Sequence, residues 1–202
     1  MADMGASVLA KLLNKAKETG RSNQLCLQLF CQEEFLRRLE KSKYADNLVL
    51  KGGLFLYTIT EFDSRVTVDV DFMLRKIPNT TEKLQEIISE IIEADTTNDF
   101  ISFEIKGVSP ISANKHYSGI HADIIAKIKY TRTPFGIDFG IGDVSVPGAK
   151  KRKLPTQLDE FPAPTVNTYS IDIEILCGRS QCGRSAQGLA IPHGSAVPDI
   201  GF

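Results

Sequence analysis

The spacing of apolar residues changes partway along this chain, and that change constrains the fold more than any other feature. Up to Leu39 they recur three or four apart, as Val8, Leu9, Leu12, Leu13 and Ala16, then Leu25, Leu29, Phe30, Phe35, Leu36 and Leu39. This is the period of an amphipathic helix. It predicts one helix stopped by Gly20 and a second capped by Asn23, with Glu33, Glu34, Arg37, Arg38 and Lys41 on the second helix's remaining surface. From Leu48 onward the period falls to two. Leu48-Val49-Leu50 reads as a short strand, and residues 67–74, 100–106, 119–130 and 134–141 as alternating strands punctuated by Gly107, Gly119 and Pro134. Two helices interrupt them: one follows Lys51-Gly52-Gly53, and one spans about 82–93 behind a Thr80 or Thr81 cap. The expected class is α+β, a mixed or antiparallel sheet flanked by helices.

At 202 residues, 42% hydrophobic and 24% charged, the chain suffices for one domain with a sizeable core. That domain is expected over 1–176, with N-terminal helices in 5–42, a core in 47–145 and a last ordered segment from Thr168 to Leu176. Beyond it, Cys177-Gly178-Arg179-Ser180 nearly repeats as Cys182-Gly183-Arg184-Ser185, and no period follows, so 177–202 reads as an irregular, disordered tail. No apolar run approaches the roughly 20 residues of a spanning helix, and no secretion signal is present, which predicts a cytoplasmic protein without a membrane partner. The four cysteines form two distant pairs, Cys26 with Cys31 and Cys177 with Cys182, and are expected as reduced thiols. Cys177, Cys182 and His193 lack a fourth zinc ligand. With a net charge of −1, a nucleic-acid partner would need a local basic patch. Lys127, Lys129 and Arg132, then Lys150, Lys151, Arg152 and Lys153, are the candidates, the last four reading as a solvated loop.

Three sets of residues carry chemistry. Asp69 and Asp71, two apart in a strand, leave the same face and can converge on one divalent cation. Gly52 and Gly53 lie between a strand and a helix, where a bare backbone lets phosphate oxygens approach the helix start. Asp138 is the only charged residue of the apolar strand Phe135-Gly136-Ile137-Asp138-Phe139-Gly140, a costly position unless paired or metal-bound. Asp123 and Asp143 rival it as the third acid.

Together these blocks resemble the nucleotidyltransferase superfamily that includes polymerase beta. Leu50-Lys51-Gly52-Gly53 followed by Arg65-Val66-Thr67-Val68-Asp69-Val70-Asp71-Phe72 is similar to the AbiEii/AbiGii abortive-infection toxins of prokaryotes. The resemblance implies a nucleotidyltransferase fold, Mg²⁺ or Mn²⁺ held by Asp69, Asp71 and Asp138, and an NTP contacted by Lys51, Gly52, Gly53, Arg65, Thr67, Lys127 and Lys129. It also implies a cognate antitoxin, and an acceptor that in some members is the tRNA end. Two features depart from the family pattern. Leu54 stands where many relatives have Ser or Thr, and Cys177-Gly178-Arg179 stands where an Ala-Glu-Lys segment and a helical half would follow, as truncation would leave it.

The expected reaction is metal-dependent transfer of a nucleotide from an NTP to an acceptor hydroxyl on tRNA, protein or a small molecule. The alternatives are an inactive, shortened binding domain and a phosphotransferase using the same site.

Overall fold

The computed structural model describes residues 3–60, 69–111, 119–141 and 149–169. All fall in the first of two compact units, Met1–Ser170. The expected tail, with Cys177, Cys182 and His193, lies outside the described residues, as do Arg65, Thr67 and Asp143.

Helix α1 (Met4–Thr19) starts where the Asp3 carboxylate accepts the Ala6 N–H at 3.0 Å and ends at Gly20, whose φ of 68° is left-handed. Helix α2 (Asn23–Lys41) is capped one residue earlier than expected. Ser22, not Asn23, is extended, and its Oγ accepts the Leu25 N–H at 3.2 Å. Strand β1 (Leu48–Lys51) runs directly into α3 (Gly52–Ile59), and β2 (Val70–Leu74) follows. Thr80 caps α4 (Thr81–Ile92) through its hydroxyl. Strands β3 (Ile101–Ile111), β4 (Gly119–Ile128), β5 (Thr131–Ile141), β6 (Lys150–Lys153) and β7 (Thr165–Thr168) complete the described chain.

The seven strands form one sheet in the order β3-β4-β5-β2-β1-β7-β6. It is mixed: β2 runs parallel to β5 and β1 parallel to β7, while the other neighbours are antiparallel. Pro134 lies within β5 opposite Ile125 rather than punctuating it, and Gly107 is absorbed into β3 just after an irregularity at Lys106. The basic run 150–153 is an edge strand and not a loop; charged side chains there discourage pairing with another chain. Because β3 and β6 are opposite edges, the run is not continuous with Lys127 and Arg132 on the β4–β5 side.

Strand β4 shows how the sheet is sided. Ile120, Ala122, Ile124, Ala126 and Ile128 are buried, whereas His121, Asp123, Ile125 and Lys127 face the other way and keep solvent access. Phe35, Phe72, Phe135 and Phe139 help fill the core face, with Phe72 and Phe139 stacked at 6.0 Å. Among the described residues no helix is long and apolar enough to cross a membrane. Cys26 and Cys31 are free and buried, and burial pushes the Cys31 thiol up to about 12.

Much of the expected polar face of α2 is not a surface, although Lys41 stays exposed. Glu33, Glu34 and Arg37 are 7%, 0% and 2% exposed, because residues 154–164 cover Glu33 and Arg37 while Thr96 and Asn98 close on Glu34. Arg37 pairs with Glu34 at 3.1 Å and Glu33 at 3.2 Å, donates through Nε to the Pro162 carbonyl at 2.7 Å, and lies over the rings of Phe30 and Phe161. Both Glu33 oxygens accept the Gln157 N–H. Burial raises Glu33 to about 7, with Arg37 opposing the shift. The folded state therefore keeps a proton that the unfolded chain has lost between about 4.5 and 7, and this group's contribution to stability falls as pH rises through that window. Arg37→Met should cost about 3–5 kcal/mol at pH 8, where the folded chain loses the cation that favours the ionised form of buried Glu33. At pH 5 Glu33 holds its proton, so the loss in urea denaturation should be smaller; an equal loss at both values would contradict the assignment.

Candidate active site

Four adjacent strands place four polar residues in one row. In the β1–β2 register Lys51 is opposite Asp71; in β2–β5 Asp71 is opposite Asp138; in β5–β4 Asp138 is opposite His121. The row reads cation, carboxylate, carboxylate, imidazole. Facing strands stand about 5 Å apart, so neighbouring side chains on one face can share an ion or a proton. Asp71 and Asp138 are half-buried.

Asp69 precedes β2 and is exposed. Glycine brings it to the row: a Cβ on Gly136 would lie 2.6 Å from Asp69 Oδ1 and 2.6 Å from His121 Cε1. Gly52 plays the same part on the other side. Its φ is +68°, and a Cβ there would lie 2.2 Å from Asp71 Oδ2, so the first residue of α3 packs its bare backbone against that carboxylate. Gly53 follows in the first turn of α3. Lys51 reaches across β2, its Nζ 3.3 Å from where a Gly140 Cβ would stand.

His121 was not singled out by sequence. Its Nδ1 is 2.5 Å from Asp138 Oδ1 and its Nε2 3.2 Å from Asp123 Oδ1. Partial burial disfavours the imidazolium, but the two carboxylates outweigh it and raise the pKa above the usual histidine value. The only local signal was His121 and Asp123 two apart on one strand face; the link to Asp138 exists through strand pairing. Asp123, the expected rival, thus sits behind the imidazole, while Asp138 faces Asp71.

An open groove of about 410 Å³ adjoins the row, lined by Asp69, His121, Asp123, Gly136, Pro134 and Lys106 among others. Lys127 and Lys129 are not brought to it. Lys127 is six residues along β4 from His121, about 20 Å for extended chain, and pairs with Glu104 at 2.5 Å. Lys129, in the β4–β5 turn, pairs with Asp3. The reason is direction: β4 runs away from the acids after Asp123. Lys127 and Lys129, the expected triphosphate contacts, therefore stand toward the far end of β4 from the acids.

Among the described residues no three His, Cys, Asp or Glu side chains close on a common metal point. Asp71 and Asp138 nonetheless offer hard oxygen donors on facing strands, and the Gly52 approach leaves no side chain between Asp71 and the backbone. A Mg²⁺ ion held by one or two carboxylates, with water and substrate phosphates as further ligands, fits that donor set.

The two glycines make separable demands. Gly136→Ala presses only on the ends of Asp69 and His121, so its melting temperature should stay within a few degrees of the parent while the His121 ring resonances move. Gly52→Ala adds left-handed strain of about 1–2 kcal/mol to a clash with Asp71 and should lower urea stability measurably. Equal stability losses would show that the two close approaches are not as described.

A family model described as nucleotidyl transferase AbiEii toxin, type IV toxin–antitoxin system, matches residues 34–173. No curated protein matches the chain. A solved Helicobacter pylori structure described as a candidate nucleotidyltransferase is 14% identical, with a TM-score of 0.48 over 80% of this chain and 60% of its own. The H. pylori protein JHP933 is 15% identical, with a TM-score of 0.49 over 80% of this chain and 59% of its own. The chain thus spans about 60% of the length of these two structures.

Proposed function

Because the chain belongs to the AbiEii nucleotidyl transferase toxin family of type IV toxin–antitoxin systems, we propose that it transfers a nucleotidyl group from an NTP to an acceptor hydroxyl at the Asp71–Asp138 row. The observation that carries this reading is the register that sets those two carboxylates side by side, with Asp69 over Gly136 and the start of α3 against Asp71.

In this reading Gly52 and Gly53 present the N–H groups at the start of α3 to the triphosphate, and Lys51 adds a cation beside it. Asp71 and Asp138, with Asp69 beside them, would hold Mg²⁺ or Mn²⁺, which would supply charge neutralisation for the phosphates. Asp138 accepts the acceptor's proton as its oxygen attacks the α-phosphorus, and pyrophosphate leaves. Arg65 and Thr67, outside the described residues, retain the nucleotide role that the family pattern implies.

The acceptor is proposed to carry phosphodiesters, as a tRNA end does. Lys106, Lys127 and Arg132 surround the single carboxylate Glu104 on the same open face of the sheet, leaving an excess of positive charge beyond the groove. Family membership in a type IV system also implies a cognate antitoxin.

Incubation with α-³²P- or γ-³²P-labelled NTP separates the reactions. Only the α label should reach the acceptor; capture of the γ label would mean phosphotransfer. Asp138→Asn should lower label transfer by about 10²–10⁴-fold, with nucleotide affinity held within a few-fold. A parent chain that labels neither tRNA nor protein would refute the reading.

A further inference from the structure

Asp138 does not stand alone on its strand, and what holds it is the least explained contact of the site. His121 approaches from β4 as its direct register partner, 2.5 Å from Nδ1 to Asp138 Oδ1. The ring is held from other sides as well. Asp123, two residues on and on the same face, takes Nε2 at 3.2 Å, and the ring edge lies over Gly136, where even a methyl group would touch Cε1 at 2.6 Å. An imidazole bound at both nitrogens and seated against a bare backbone has little rotational freedom. The carboxylate it grips is oriented with it, one oxygen engaged and the second remaining for a cation or a hydroxyl.

We propose that His121 is the positioning residue of Asp138, and that Asp123 in turn fixes the ring from behind. The arrangement is carboxylate, imidazole, carboxylate across two strands, in which the outer Asp123 sets the ring and the ring sets the reactive carboxylate. A surface ion pair with no such role would have needed neither the second carboxylate nor the glycine beneath the ring. The inference rests on the nucleotidyl-transfer reading for its kinetic consequence, but not for the contact itself.

The donor atom makes the proposal testable in the full chain. An asparagine at 121 carries its amide nitrogen near the position of Nδ1, whereas a glutamine carries it near Nε2. In label transfer, His121→Ala should lower kcat by about 10–100-fold while leaving the nucleotide KM within about two-fold. His121→Asn should recover most of the loss and His121→Gln should not. A merely structural histidine would instead give losses that follow melting temperature, with no difference between the two amides. Independently of turnover, ¹H–¹⁵N correlation of the ring nitrogens in nucleotide-free protein should show the Nδ1 resonance move in Asp138→Asn and the Nε2 resonance move in Asp123→Asn. Parental turnover in His121→Ala, equal rescue by both amides, or an Nδ1 resonance indifferent to Asp138→Asn would overturn the proposal. If the parent transfers no label, the functional reading fails, and the ring resonances still decide whether His121 holds Asp138.

Discussion

The site depends on one constraint, the register of β4, β5, β2 and β1. Shifting any of these pairings by one residue would turn its polar member into the core, because side chains alternate with a period of two. The register is secured from the buried side: Val70 and Phe72 on β2, and Ile137 and Phe139 on β5, are fully buried on residues flanking the two aspartates. Apolar packing therefore sets where Asp71 and Asp138 meet, and the carboxylates bear the repulsion that follows. That repulsion is what a divalent ion, the Lys51 ammonium or a hydrogen bond from the His121 ring can offset.

Glycine supplies the second condition. Gly52 and Gly136 flank the row, and each has a carboxylate oxygen where a side chain would begin. The site is thus compact because two positions have no side chain. The parallel pairing of β2 with β5 brings elements distant in sequence to the same row, with α3 starting directly at its edge.

Away from the site, α2 joins the sheet to the segment that returns the chain to β7. Arg37, Glu33 and Glu34 do this with buried charge, which binds strongly only while each member is present. Thr96 and Asn98 donate to Glu34 from the end of the α4 region, so the same carboxylate also ties down the approach to β3. An ionic cluster of this kind favours one arrangement of the covering segment, since any other leaves a charge unpaired in the interior.

Local pattern was enough for much of this. The helical spacing of Val8 to Leu39, the Thr80 cap and the strand character of 119–128 were legible, because each depends on neighbours a few residues away; the glycine pair expected to precede a helix instead begins it. The acids Asp69, Asp71 and Asp138 stood out by residue type and spacing. Other features needed the fold. Pro134 looked like a break, yet it occupies a strand; Glu33, Glu34 and Arg37 looked like a solvated face, yet 154–164 and the residues before β3 bury them. Lys127 and Lys129 looked like nucleotide contacts, yet β4 carries them away from the acids, while His121, unremarkable in sequence, is brought to Asp138. The sequence by itself determined most of the element types, the edge strand 150–153 apart, and the acidic residues, since periodicity and residue chemistry are local. Only the tertiary structure decided which of those residues meet, since strand order and register join positions that no local pattern relates.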